Sequence, residues 1–128
     1  MPIQAEDLLL LADLQSTEEG EPWRRSAISR AYYASFHRCL NWEEEVTRQP
    51  KASRPKRSPH RQLIERLARP NRVCSSKQKR QCEALVRLMK RQRERRVAAD
   101  YSLDADVGPD TLREQLLDAR NVFKACAW

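Results

Sequence analysis

The stretch from Trp23 to Val46, WRRSAISRAYYASFHRCLNWEEEV, decides the fold class of this chain. No glycine or proline interrupts it, and apolar side chains recur at every third or fourth position. That spacing places them on one side of an α-helix. The pattern predicts a long second helix over about 23–46, with one face in the core formed by Ile28, Tyr32, Phe36, Cys39 and Leu40.

The composition of the whole chain excludes several other fold classes. It has 128 residues, which is one domain's worth of chain, and only two glycines. Sandwiches and barrels need many turn glycines, and Rossmann or P-loop proteins need several glycines close together. The longest apolar run, Leu8–Ala12, is far shorter than the roughly 20 residues of a membrane span. The first residues carry no basic region typical of a signal peptide. We therefore expect one all-α domain over residues 1–128 without a membrane segment.

Capping residues and breakers divide the rest of the chain into helices around this one. The predicted helices cover about 3–15, 23–46, 59–70 and 76–101, with a fifth beginning near Asp110. Ser58, either Ser75 or Ser76, and Asp110 are the expected N-caps. Residues 47–59 form a basic, proline-containing loop. The expected architecture is an up-and-down bundle of four or five helices.

Each of these helices has a predicted core stripe. The stripes are Leu8, Leu11 and Ala12, with Leu10 and Leu14 beside them, in the first helix; Leu63, Ile64 and Leu67 in the third; Cys82, Leu85, Val86, Met89 and Val97 in the fourth; and Leu112, Leu116, Ala119, Val122 and Phe123 in the fifth.

The charge is unevenly distributed along the chain. The formal net charge is +7, yet residues 48–96 hold 18 Lys and Arg against three acidic residues, a local charge of +15. The remainder therefore carries −8. A solvated basic helix face would explain a mild excess, but one of this size favours a polyanion partner or association of complementary surfaces.

The four cysteines, Cys39, Cys74, Cys82 and Cys126, form no C-x-x-C pair. With only two histidines in the chain, the ligand spacing of a zinc site is absent. The sequence therefore predicts no metal and no cofactor, and reduced, partly buried thiols in a cytoplasmic protein.

Two groups of polar residues could carry chemistry. Arg30 and His37 are seven residues apart, so they lie on one helix face about 10 Å apart, with Tyr33 between them. In the later helix, Arg96 and Asp100 are one turn apart and Tyr101 follows. Each group also has a structural interpretation. The first group could be a buried polar network that fixes helix register, and the second could be a helix-end ion pair beside a core tyrosine.

Taken together, SRAYYASFH at 29–37, SPHRQLIERL at 58–67 and RVAADY at 96–101 resemble the HEPN domains, small bacterial and archaeal all-α proteins often encoded beside nucleotidyltransferases. The resemblance covers about 23–123. It implies a helical bundle, a homodimer and a polar cleft where the two subunits meet. Many HEPN proteins are metal-independent ribonucleases whose late helix carries an arginine, then a histidine, and often a tyrosine. Arg95 or Arg96 matches the arginine and Tyr101 the tyrosine, whereas Ala98, Ala99 and Asp100 fill the place of the histidine.

Metal-free RNA cleavage needs proton transfer and a cation for the phosphorane, which suit histidine and arginine. If the chain is an enzyme, His37 has to reach a cleft beside Arg96. We expect an RNA- or nucleotide-binding domain of a toxin–antitoxin or defence module, with weak or absent ribonuclease activity. The alternatives are a non-catalytic partner of a nucleotidyltransferase and a basic structural adaptor. The candidate site residues are Arg96, His37, Arg30 and Tyr101 as catalytic groups; Tyr33, His60 and Asp100 in the cleft; and Lys51, Arg54, Lys56, Arg57, Arg91, Arg93 and Arg95 for nucleic acid.

Overall fold

The computed structural model describes residues 2–47, 58–70 and 73–127, and every regular element in these ranges is an α-helix. The five helices are α1 (Ala5–Ser16), α2 (Glu21–Thr47), α3 (Pro59–Ala68), α4 (Ser76–Tyr101) and α5 (Pro109–Ala125). The predicted all-α class and the number of helices are therefore confirmed. The predicted basic loop falls mainly on residues 48–57, which lie outside the described ranges.

The helix ends follow local chemistry. Gly20, at a φ of 109°, adopts the left-handed conformation that separates α1 from α2. α2 then begins at Glu21, two residues earlier than predicted, because Pro22 is tolerated in a first turn. The Ser58 hydroxyl caps α3 by accepting a hydrogen bond from the Arg61 amide at 3.2 Å. Ser75 is the cap of α4, and its hydroxyl accepts from the Gln78 amide at 3.1 Å.

The prediction that Asp110 caps the fifth helix is wrong. Gly108 is the N-cap of α5 and Pro109 is its first residue. Proline suits that position because its φ is already helical and its missing N–H would have no partner there. Asp110 lies instead in the first turn, where its carboxylate faces the positive end of the helix dipole and pairs with Arg113.

α2 lies at the centre of the bundle and contacts each of the other four helices. Its buried residues join two apolar clusters. One contains Tyr32, Phe36, Cys39 and Trp42 with side chains of α3, α4 and α5, and the other contains Ala27, Ile28 and Ala31 with side chains of α1, α4 and α5. The core stripes of the second, third and fifth helices are largely confirmed, with Leu40 and Phe123 only partly buried.

The predicted stripe of the first helix is confirmed for Ala12 but wrong for most of its leucines. Leu10, Leu11 and Leu14 are exposed, whereas Ala5 and Ala12 are buried. Ala12 joins the same cluster as Ala27 and Ala31 of α2, and the partly buried Leu9 packs against this cluster. In α4, Val97 is also exposed against prediction. The inward face of that helix is occupied there by Gln92 and Ala99.

A buried hydrogen-bond network joins α2, α4 and α5. The Ser35 hydroxyl donates to Gln92 Oε1 at 2.7 Å. Gln115 Nε2 donates to the carbonyls of Ile28 and Gln92, both at 3.2 Å. Both glutamine side chains are fully buried, so each hydrogen bond constrains how the three helices align. Gln92 lies one turn before Arg96, and the network thereby fixes the register of the helix that carries the candidate site.

Candidate functional site

The middle of α2 and the last two turns of α4 bring several predicted site residues together. Tyr32 and Tyr33 project from α2, and Arg96, Asp100 and Tyr101 belong to α4. Between Ser76 and Tyr101 the sequence has no glycine or proline, so α4 extends without a break to the site. The tyrosines of α2 thereby meet Arg96 of α4.

Arg96 is the centre of this arrangement, and only 11% of its side chain is exposed. Its Nη2 donates to the Tyr33 hydroxyl at 2.6 Å and to the Tyr101 hydroxyl at 3.4 Å. Its Nε lies 3.0 Å from Asp100 Oδ2, which also accepts from the Ser29 hydroxyl at 3.1 Å. The guanidinium is therefore held in one orientation by groups from both helices.

Three tyrosine rings surround the same guanidinium. The Arg96 Cζ lies 5.2 Å from the ring centroid of Tyr33, 5.3 Å from that of Tyr101 and 5.8 Å from that of Tyr32. Cations bind the faces of such rings, and the attraction grows where water is excluded. Tyr32 is fully buried, while 68% of Tyr101 is exposed. The group of tyrosine rings around Arg96 is therefore closed on the side of the core and open at Tyr101.

His60, in the first turn of α3, lies against the same aromatic rings. Its ring centroid is 5.3 Å from Tyr32, 5.7 Å from Tyr33 and 4.6 Å from Phe36. His60 Nδ1 shares a 2.8 Å hydrogen bond with the Tyr32 hydroxyl. Burial, followed by the positive charges of Arg96, Arg93 and His37, lowers the pKa of His60 below its ordinary value. We call Tyr32, Tyr33, His60, Arg96 and Tyr101 the Arg96 cluster.

Two guanidinium N–H groups at this site are buried without a hydrogen-bond acceptor. They are Nε of Arg96 and Nε of Arg93, and Trp42 Nε1 is the third such atom in the described residues. The 3.0 Å contact between Arg96 and Asp100 is an ion pair, but it lacks the alignment of a hydrogen bond. Arg93 lies close enough for its charge to oppose the rise that burial causes in the pKa of Tyr32 and to add to the lowering of the pKa of His60. Burying a charged donor without an acceptor is costly, and the two arginines concentrate positive charge beside the tyrosine rings.

The first predicted group, Arg30, Tyr33 and His37, is only partly assembled. The Arg30 guanidinium stacks on the Tyr33 ring with its Cζ 5.4 Å from the centroid. His37 is exposed, and its ring packs edge-on against Phe36. Within the described ranges, His37 makes no hydrogen bond with Arg96, whose partners are Tyr33, Tyr101 and Asp100. The histidine that the fold brings to Arg96 is His60.

The predicted nucleic-acid contacts Arg91 and Arg95 are occupied in the structure by Asp118 of α5. Arg91 donates two hydrogen bonds to this carboxylate at 2.9 and 3.1 Å, and Arg95 donates one at 2.6 Å. Arg95 also donates to Gln115 Oε1. The Asp118 side chain is only 7% exposed, so the two arginines hold α4 to α5. Lys51, Arg54, Lys56 and Arg57 fall outside the described residues.

Arg25 is a residue whose importance the sequence analysis did not indicate. Its guanidinium donates to five carbonyl oxygens that follow Arg96 in the chain, at 2.5–3.4 Å, and these belong to Ala98, Ala99, Ser102, Leu103 and Ala105. It therefore caps the C-terminal end of α4 and holds the segment after Tyr101. No local pattern could have revealed it, because its partners are more than 70 residues away.

Other features of the described residues are unrelated to the Arg96 cluster. An open cleft between α1 and α2 is lined by Gln4, Glu6, Arg38, Asn41, Glu44 and Glu45, a set that disfavours an anion. All four cysteines are free and buried, and hydrogen bonding with Cys126 and burial raise the pKa of Cys39. In the described ranges, no three His, Cys, Asp or Glu side chains come together as metal ligands would. None of the described helices is long and apolar enough to span a membrane.

Comparison of the chain with protein-family models, with curated proteins and with solved structures gives no match.

Proposed function

We propose that this chain is an RNA-binding helical domain of the HEPN type and that Arg96 contacts a phosphate of the RNA. The observation that carries the proposal is the Arg96 guanidinium, which Tyr33 and Tyr101 hold in place at the open side of the cluster, with the charge of Arg93 nearby. A phosphate oxygen is a strong acceptor for such groups, and arginine binds phosphate through two parallel hydrogen bonds. Among the described residues, Asp100 forms an ion pair with Arg96, and the second arginine, Arg93, keeps the local charge positive.

The distribution of aromatic groups supports RNA rather than a simple inorganic anion. Tyr101 is 68% exposed beside Arg96, which gives a base a ring on which to stack. Single-stranded nucleic acids are bound by this combination of a cationic groove and exposed aromatic rings. The +15 charge of residues 48–96 would attract the rest of the phosphate backbone.

A metal-independent ribonuclease is the second candidate function, and one observation favours it. His60 lies on the same tyrosine rings as Arg96, and its lowered pKa keeps the imidazole neutral near pH 7. A neutral imidazole can accept a proton from an attacking hydroxyl. Incubating labelled RNA with nuclease-free protein and a chelator tests this function. We expect little or no cleavage because the signature histidine is missing from α4.

The proposal includes a homodimer, as the HEPN resemblance implies, and light scattering at micromolar concentrations should give about twice the 15.0 kDa chain mass. A non-catalytic partner of a nucleotidyltransferase, or a basic adaptor, would not need the Arg96 cluster for RNA binding. These alternatives therefore differ from the proposal in what they predict for an Arg96 variant.

The experiment that tests the proposed function is RNA binding by Arg96→Lys. Fluorescence anisotropy with a labelled single-stranded RNA at low salt measures the dissociation constant. Lysine keeps the charge but cannot offer the forked donors of arginine, so we expect about tenfold weaker binding. Arg113→Lys, on the exposed surface of α5, is the matched control and should bind like the wild type. Equal affinity of the wild type and Arg96→Lys, or no RNA binding at all, would contradict the proposal.

A further inference from the structure

His60 is held in one place by its helix and by its neighbours. Ser58 caps α3 and Pro59 is its first residue, so His60 occupies a fixed position in the first turn. The ring is packed against Tyr32, Tyr33 and Phe36, with centroid distances of 4.6–5.7 Å. Its Nδ1 atom shares a hydrogen bond with the Tyr32 hydroxyl. Since Tyr32 is fully buried, this contact fixes the orientation of the imidazole.

The second ring nitrogen, Nε2, is available to a ligand. Within the described part of the chain, the hydrogen bond to Tyr32 is the one that His60 makes, and Nε2 is not among the buried atoms without partners. Nε2 therefore has no hydrogen-bond partner in the described part of the chain, on a ring that packs on the tyrosines around Arg96. An oriented imidazole with one free nitrogen can recognise a single group of the bound molecule.

The chemistry of His60 suits a neutral hydroxyl better than a second phosphate oxygen. Burial and the nearby arginine charges lower the pKa of His60, which favours the neutral imidazole at pH 7. The ribose 2′-hydroxyl adjoins the phosphate in RNA and both donates and accepts hydrogen bonds. It therefore fits Nε2 in either tautomer of the imidazole, whichever one the Tyr32 hydroxyl selects.

We propose that His60 binds the ribose 2′-hydroxyl of the nucleotide whose phosphate contacts Arg96, so that this site distinguishes RNA from DNA. The proposal rests on the proposed function, because it needs the phosphate on Arg96 to bring the ribose to His60. It assigns the selecting group to α3, whereas the sequence pattern pointed to His37 of α2.

The experiment compares one oligonucleotide sequence in three forms: all RNA, all DNA, and RNA with 2′-O-methyl groups. Dissociation constants are measured for the wild type, His60→Phe, His60→Gln and His37→Ala. The wild type should bind RNA about three- to tenfold more tightly than DNA, the contribution of one hydrogen bond. Phenylalanine keeps the ring packing but has no nitrogen, so its preference for RNA should disappear. Glutamine restores a polar group and should recover part of the preference.

Failure of the assignment of His60 can be distinguished from failure of the proposed function. Equal binding of RNA and DNA by the wild type would overturn the assignment of His60 and leave phosphate binding on Arg96 intact. Loss of the RNA preference in His37→Ala, but not in His60→Phe, would also overturn it. Absence of binding to every oligonucleotide would instead contradict the proposed function. The methylated RNA tests the 2′-hydroxyl with the wild-type protein alone, so the result holds even if a His60 variant does not fold.

Discussion

A single buried carboxylate, that of Asp118, gives Arg91 and Arg95 a structural role. Its side chain is 7% exposed and accepts hydrogen bonds from Arg91 and Arg95. Asp118→Asn should destabilise the fold by roughly 2–3 kcal/mol, below the range for a fully buried pair because half of the Arg91 side chain is exposed. Chemical denaturation at pH 7 measures the difference. Asp110→Asn is the control, and it should change stability by less than about 0.5 kcal/mol, since the Asp110 side chain is 81% exposed.

The same carboxylate gives a pH dependence. Burial alone would raise the pKa of Asp118, but the hydrogen bonds from Arg91 and Arg95 outweigh it and lower the pKa below the ordinary value. A lowered folded-state pKa stabilises the protein above the unfolded pKa of about 4, and this stabilisation is lost as the pH falls through the folded value. The stability gap between the wild type and Asp118→Asn should therefore narrow toward pH 3. A gap that stays constant from pH 7 to pH 3 would contradict this account.

The arginines of residues 91–96 also show why the roles of single residues were the hardest feature to predict from the sequence. Arg91, Arg93, Arg95 and Arg96 are the same residue type in one short run, yet they do not all lie on one face of the helix, and Arg91 and Arg95, one turn apart, share a face. Arg91 and Arg95 meet Asp118, whereas Arg96 meets tyrosines of α2. The partners lie on helices distant in sequence, so no pattern within the run could separate structural from binding arginines.

At the scale of one element, the end of α4 depends on Arg25. The Arg25 side chain is only 12% exposed and donates to five carbonyls at and beyond the helix end. Arg25→Met should cost roughly 2 kcal/mol, because it removes charge-assisted bonds and leaves the negative end of the helix dipole uncapped. Hydrogen exchange at the amides of Ala105 and Val107 should become about tenfold faster. Arg113→Met, exposed on α5, should affect neither measurement. Unchanged exchange in Arg25→Met would show that other contacts hold this segment.

The buried face of a helix could be predicted where its apolar residues recur on one side only. In α2 and α5, single apolar residues separated by polar ones mark one face, and the structure buries that face. In α1, four consecutive leucines at 8–11 carry no phase, because apolar residues lie all around the helix. The fit of Ala12 to the alanines of α2 decides which side is buried. In the candidate site too, only local contacts could be predicted. Spacing within a helix predicted the ion pair of Arg96 with Asp100, whereas the contact of His60 with α2 depends on the tertiary fold.

At the scale of the whole molecule, the concentration of charge on α4 should govern how RNA binding responds to salt. α4 contains nine basic and three acidic residues, and Arg87 and Lys90 are among the exposed basic ones. Each phosphate neutralised on a single strand contributes about −0.7 to the slope of log affinity against log salt, because a counterion is released. The double variant Arg87→Ser/Lys90→Ser should therefore flatten the slope by about 1.4 if both contact phosphates.

This prediction separates the basic surface of α4 from the Arg96 cluster. Arg113→Ser, which removes one exposed charge from α5, should leave the slope unchanged if the RNA follows α4. His60→Phe should also leave the slope unchanged, because it removes a neutral contact, while it alters the ratio of RNA to DNA binding. Titrations between 50 and 200 mM salt at pH 7 give the slope for each variant. An equal flattening in Arg113→Ser and in the α4 double variant would mean that RNA responds to net charge alone, without a defined path along α4.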